Sequence, residues 1–140
     1  MAASAFTLFN KAKREIPAGT FSQDKTFRVI LTTNAQALTA AFSGDMAQLT
    51  AQVASGNGYT TGGKIMTNVT YSGDSGTVKF DADDVVWASS TITAKYAVVA
   101  VEGKLLGFTD LNTAAPTGMS STNDNFTVGW DETNGLFTYS

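Results

Sequence analysis

Three stretches of this chain hold residue types that could do chemistry. GYTTGGK at residues 58–64 has the GxxxxGK spacing of a phosphate-binding loop, in which glycine-rich backbone and a lysine cradle the anion. That chemistry also needs a Ser or Thr after the lysine for Mg²⁺, and a helix whose N-terminus faces the phosphates. Ile65 follows Lys64 instead, and the next residues alternate as a strand does, so the window reads as a glycine-rich surface loop entering a strand. Gly56 and Gly58 are expected at backbone angles other residues avoid, with Tyr59 displayed between them and the strand. DADD at residues 81–84 is the densest carboxylate cluster. Period two would put Asp81 and Asp83 on one side, but no EF-hand spacing or closing bidentate Glu follows, so a solvated strand end is expected and no metal site. Paired carboxylates can hydrolyse a glycoside without histidine, yet twelve acids spread over turns make such a pair common by chance. Trp87, Trp130, Tyr59, Tyr71 and Tyr96 are the rings that could stack on a sugar. Trp130 alternates with Phe126 and Val128, and Tyr96 with Ile92 and Val98, which assigns both to the core and leaves Tyr59 as the free ring.

The residue types that are missing exclude more. The chain has no His and no Cys. Without His there is no Ser-His-Asp or Cys-His catalysis and no His-ligated metal. Without Cys there is no disulfide framework, thiol nucleophile or thiolate site. No enzyme activity and no cofactor are expected. A formal net charge of −3 argues against wrapping nucleic acid, which needs a basic face. No apolar run approaches the ~20 residues of a membrane helix, and in MAASAFTLFNKAKR the basic residues follow the apolar stretch, the reverse of a secretory signal. The expectation is a soluble protein with no membrane partner, made and kept in a cytoplasm.

The elements that position these residues follow from patterning. At 140 residues, 43% hydrophobic and only 15% charged, the chain suits one domain whose polar surface comes from 21 Thr and 11 Ser. Threonine is β-branched, and with 13 Gly and 2 Pro it points to many strands and tight turns. FTLFNKAKREI at 6–16 spaces Phe6, Phe9, Ala12 and Ile16 for one short amphipathic helix, which Pro17 stops. Residues 1–30 hold five basic and two acidic side chains, net +3, against four and ten, net −6, in residues 31–140. TFRVILT at 26–32 alternates as a strand. AQALTAAFSGDMAQLTAQVA at 35–54 reads as short helical turns or loop, cut at Ser43 and Gly44. A hairpin follows over 65–82 with its turn at 72–76, then a long central strand over 91–101, a turn at Glu102 and Gly103, and a strand over 105–111. A polar loop, a strand around Phe126 to Trp130, a turn over 131–135 and a closing strand complete seven or eight strands. The long connections favour Greek-key crossings, so the expected fold is all-β, a jelly-roll-like β-sandwich with a short N-terminal helix. Residues 1–17 form the helix or arm and residues 18–140 the single sandwich domain.

LFNKAKREI, FRVILTTNAQ, ASGNGYTTGGK, VKFDADDVVWASSTITAKYAVV and LLGFTDL, in that order, resemble a family of small structural proteins of tailed bacteriophages over nearly the whole chain. Within it the chain is most similar to the auxiliary capsid proteins called cement or decoration proteins, of the jelly-roll type. The resemblance implies a non-enzymatic part of the virion exterior, assembled in the host bacterial cytoplasm. Its implied partners are the major capsid protein of an HK97-type shell, bound across capsomer joints, and a second copy of itself, as a homodimer or else a trimer. Phe6, Phe9, Lys11, Lys13, Arg14 and Tyr59 are the interface residues expected here, the first five on an arm that grips an acidic shell or the sister subunit. Other readings are a tail or head–tail joining component and a carbohydrate-binding module for host attachment.

Overall fold

In a computed structural model of the chain, residues 6–36, 38–73, 76–130 and 135–139 are described. Twelve short strands and one short helix make an all-β sandwich: β1 Thr7–Leu8, α1 Asn10–Glu15, β2 Phe27–Thr32, β3 Lys64–Ile65, β4 Thr70–Ser72, β5 Val78–Asp81, β6 Val85–Ser90, β7 Thr93–Ala94, β8 Tyr96–Val101, β9 Lys104–Asp110, β10 Met119–Ser120, β11 Asp124–Val128 and β12 Phe137–Tyr139. The strands exceed the expected number because four of them hold only two residues.

Four antiparallel pairs are nested: β8 with β9, β7 with β10, β6 with β11 and β5 with β12. This is one long hairpin folded over on itself, the pairing expected of a jelly roll. Its tip is the two-residue turn Glu102 and Gly103, both at positive φ (49° and 87°), as a hairpin of this length demands. Three earlier strands extend the tip ribbon into a sheet of order β1-β9-β8-β2-β3, and β4 joins β5 and β12 in a second sheet. The sheets meet through rings: Phe27 of β2 lies 5.2 Å from Phe80 of β5, which also contacts Tyr71 and Phe137. β2, β8 and β9 are buried along almost their whole length, so the strict in-and-out alternation read at 26–32 is lost at Ile30, which is fully buried.

Three local readings change. The helix expected over 6–16 is only Asn10–Glu15, because residues 7–8 extend as β1 against Phe108 and Gly107. The strand expected over 91–101 breaks at Lys95, whose N–H donates to Thr32 O and whose ammonium reaches Asp110 at 3.0 Å and the carbonyls of Asn112 and Ala115. Of the helical turns considered for 35–54, the described residues keep one 3₁₀ turn, Met46–Gln48. The rest is loop held by Gln36, whose buried Oε1 accepts from the N–H groups of Thr50 and Ala51. Residues 1–5 of the expected N-terminal segment, Ala37, Asp74 and Ser75 of the expected hairpin turn and residues 131–134 of the expected closing turn lie outside the described residues.

Candidate functional site

The segment expected as an arm is seated on the body. β1 crosses β9 at Gly107, where a Cβ would stand 2.4 Å from Thr7 O and 2.6 Å from the Phe6 ring, so the missing side chain makes room for the crossing. Phe6 is half-buried, edge-on to Trp130 at 6.2 Å and stacked on Phe137 at 6.1 Å. Phe9 is 1% exposed between Phe108 and Phe42, and its N–H donates to Leu106 O. It is therefore an anchor to the chain's own core, and its ring offers nothing to a partner.

α1 has six residues and is held by this anchor and by buried Ala12, since a helix so short has little stability alone. Its cations divide in two. Lys11 Nζ contacts Asp45 Oδ1 at 2.7 Å while Lys104 Nζ contacts Oδ2 at 3.3 Å, so one carboxylate ties the helix to the β8–β9 tip. The hydrogen bond to Asp45 raises the Lys11 pKa, and the same bond, with help from Lys104, holds the Asp45 carboxyl below the usual carboxylate range. Lys13 and Arg14 are exposed and have no carboxylate within ion-pair distance among the described residues. Lys13 lines, with Leu8, Ile16 and Pro17, an apolar groove of about 310 Å³ at the end of β1, an edge strand of its sheet. Cations at an apolar edge groove can hold an acidic surface.

Tyr59 corrects the reading that displayed it. The ring is 2% exposed, lies 6.0 Å from Trp87, and its hydroxyl accepts from Leu31 N–H at 3.1 Å and donates to Gln52 Oε1 at 2.8 Å. The glycines turn the loop inward as well as around. Gly56 and Tyr59 close a tight turn by mutual backbone bonds, and the ring drops onto the end of β2. Burial pushes the phenol pKa up to about 12, with the Leu31 hydrogen bond opposing. The carbohydrate-module reading thereby loses its platform residue.

The phosphate-loop window leads into β3 and not into a helix, as its sequence indicated. Asp83 Oδ2 accepts from Thr67 Oγ1 and Asn68 Nδ2, Asp84 Oδ1 accepts from Trp130 N–H, and Asp81 pairs with Lys79 at 3.8 Å. These carboxylates brace a strand end, and no group of three or more acidic side chains is arranged to hold a metal among the described residues.

The sequence reading missed the clamp on Asp45, which sits 34 residues from Lys11, and the apolar half of the groove, Leu8, Ile16 and Pro17. It also passed over the end of the loop. There Lys64 donates to Val86 O across a cleft, and Ile65, 51% exposed, is the one exposed large hydrophobic side chain among the described residues. A Lys-Ile pair immediately after a glycine-rich loop was the available signal.

No protein family, curated protein or solved structure matches this chain.

Proposed function

We propose that this chain is a non-enzymatic structural protein of a virion, one that binds the outside of an HK97-type capsid across capsomer joints and stabilises the shell. The major capsid protein is its partner, a second copy its neighbour at the joint, and the virion exterior its place. The observation that carries the reading is Lys13, which lines the groove with Leu8, Ile16 and Pro17 and, like its neighbour Arg14, is exposed with no carboxylate within ion-pair distance among the described residues, in a molecule that ties most of its other lysines to carboxylates. Its physics is linkage. A protein that binds only the assembled shell adds free energy to that state, about 2.7 kcal/mol per site when it is present at a hundredfold its Kd. Two copies joined at a two-fold joint engage the second contact at high effective concentration, so modest affinity per copy suffices.

The test is charge reversal, because deleting the segment would remove β1 and the Phe9 anchor and so test folding. Lys13→Glu with Arg14→Glu should leave the fold intact by circular dichroism and reduce co-sedimentation with capsids by about tenfold or more at physiological salt. Unaltered co-sedimentation of a folded double variant rejects this docking surface.

A further inference from the structure

We propose that β11 is an open edge at which two copies of this chain pair, strand to strand, about a two-fold axis. β11 forms a ladder with β6 alone. Two contacts show which of its backbone groups face that neighbour: Asp124 O accepts from Ser90 Oγ at 3.1 Å, and Trp130 N–H donates to Asp84 Oδ1 at 3.2 Å. The Val86 carbonyl, opposite Thr127, points the other way and accepts from Lys64. Direction alternates along an antiparallel strand, so Asn125, Thr127 and Gly129 turn their N–H and C=O groups away from β6. The bulge beside Asn125 puts its extra residue on β6, where Ser89 takes a φ of 48°, and leaves this alternation on β11 intact. All three residues are exposed, and for Gly129, which has no side chain, that exposure is of the backbone itself. Among the described residues no other segment's backbone bonds to Thr127 or Gly129.

The strand's own sequence selects the occupant. In an antiparallel pair centred on Thr127, that residue faces the second copy's Thr127, and Asn125 faces the second copy's Gly129. Threonine opposite threonine is a favourable cross-strand pair, and the glycine leaves room for the asparagine. Asp124, the one charged residue of β11, then lies opposite the second copy's Trp130, so no like charges meet. Phe126 and Val128, each 1% exposed, stay on the inner side with the two bodies, and the exposed faces join into one surface. Asn125 N–H is already bonded to Asp124 Oδ1 at 2.8 Å, which leaves the reciprocal bonds of the two threonines and those from each Gly129 N–H to the Asn125 carbonyl across the axis. Two other edges are guarded: β3 carries Lys64, and the outward Tyr71 N–H of β4 is capped by Gln23 Oε1 at 3.0 Å. β11 holds no lysine, arginine or proline. Such a contact is isologous and small beside the ~1,200–2,000 Å² of stable complexes, so it is weak in free solution, with a Kd of about 0.1–1 mM, and fills where copies are held side by side at high effective concentration. It deepens the proposed capsid role, resting on that reading for where the copies meet, and it is measured without capsids, so that each can fail separately.

The experiment follows the full chain by sedimentation equilibrium from about 10 μM to about 1 mM, with amide hydrogen exchange over the same range. A monomer at the low end should give way to a reversible dimer at the high end. Exchange at the Thr127 and Gly129 amides should slow about twofold where half of the chains are paired, while the Val128 amide, which faces β6, keeps its rate. Thr127→Lys alters an exposed side chain and should leave the circular dichroism spectrum unchanged; it sets two ammonium groups face to face across the axis and should weaken the dimer about tenfold or more. A chain that is monomeric at about 1 mM, a dimer whose Thr127 and Gly129 amides exchange as fast as the monomer's, or a dimer untouched by Thr127→Lys each overturns the proposal.

Discussion

Replacing Tyr59 with Phe removes one oxygen from a buried site and should weaken the fold by an amount that depends on pH. The hydroxyl is the partner of Leu31 N–H at 3.1 Å, and Leu31 is fully buried on the side of β2 that faces away from β8. Phe keeps the ring contact with Trp87 but leaves that N–H without a partner, at a cost of about 1–3 kcal/mol. Gln52 Oε1 loses one donor yet keeps Gly62 N–H at 2.7 Å, so its share is small. About 2 kcal/mol is expected near neutral pH, or roughly 6 °C in Tm for a domain of this size. In alkali the difference should disappear. The phenol's pKa rises from 10.0 in the unfolded chain to about 12 in the fold. Below pH 10 both states keep the proton and the stabilisation is fully present; between the two values the unfolded state ionises first and is favoured. The loss is about 1.4 kcal/mol at pH 11 and about 2.3 kcal/mol at pH 12, so the wild-type advantage should fall to about 0.6 kcal/mol and then to about zero. Urea denaturation of both proteins near pH 8 and pH 11 measures the difference directly, because every other titrating group is common to the pair. A Phe variant as stable as wild type at pH 8, or a difference that stays constant into alkali, would refute the buried hydrogen-bonded phenol.

The remaining predictions probe the loop and the N-terminal seat. Gly63 has φ +74° and an added Cβ would lie 1.9 Å from Val29 O, whereas Gly56 at φ +119° has open space; Gly63→Ala should abolish folding or cost over about 3 kcal/mol, and Gly56→Ala only about 1–2 kcal/mol, by thermal unfolding. Phe9→Ala should cost about 3–5 kcal/mol, the loss of a fully buried ring, and a cost below about 1 kcal/mol by urea denaturation would mean the segment is not seated on the body. Asp45→Asn should lower the urea midpoint slightly at neutral pH, an effect removed by about 1 M salt because all three side chains of the clamp are partly solvated. Since the Asp45 pKa is lowered in the fold, that contribution is present above the ordinary carboxylate value and fades as pH falls through the depressed one, so wild type and variant should converge in acid.

Patterning made the fold class legible because short apolar, β-branched runs bounded by turn residues read as strands. FRVILT and YAVVAV are such runs, buried along almost their whole length, and the Glu102 and Gly103 turn is marked by its glycine. What did not show was any feature set by distant contacts. Phe6 and Phe9 have helical spacing with Ala12 and Ile16, but the opening at Gly107 lets residues 7–8 pair as a strand, so a tertiary contact overrides the local period. Lys95 interrupts its strand where Asp110, at the end of β9, and two carbonyls of the loop that follows gather its ammonium. Tyr59 sits among glycines and polar residues, the composition of an exposed loop, and only the free N–H of Leu31 and the Gln52 amide explain why the ring turns inward.

The same contrast governs the candidate surface. A net +3 over residues 1–30 suggests a basic arm, but charge summed along a sequence is not charge available to a partner. Lys11, Lys25, Lys79, Lys95 and Lys104 each stand within 4 Å of a carboxylate of this same chain, and a partner acid would have to compete with that neighbour for them. Among the described residues the cations without such a neighbour are Lys13, Arg14, Arg28 and Lys64. Arg28 lies within a sheet, between β3 and β8. Of the three that remain, Lys13 lines the groove at β1 and Lys64 lies on β3, the two edge strands of the five-stranded sheet, and Arg14 follows Lys13 on α1. Open edges carry unmet backbone hydrogen bonds, and a lysine there guards against indiscriminate pairing. The basic excess of residues 1–30 thus narrows to Lys13 and Arg14 on α1, and the proposed docking surface is to be tested there.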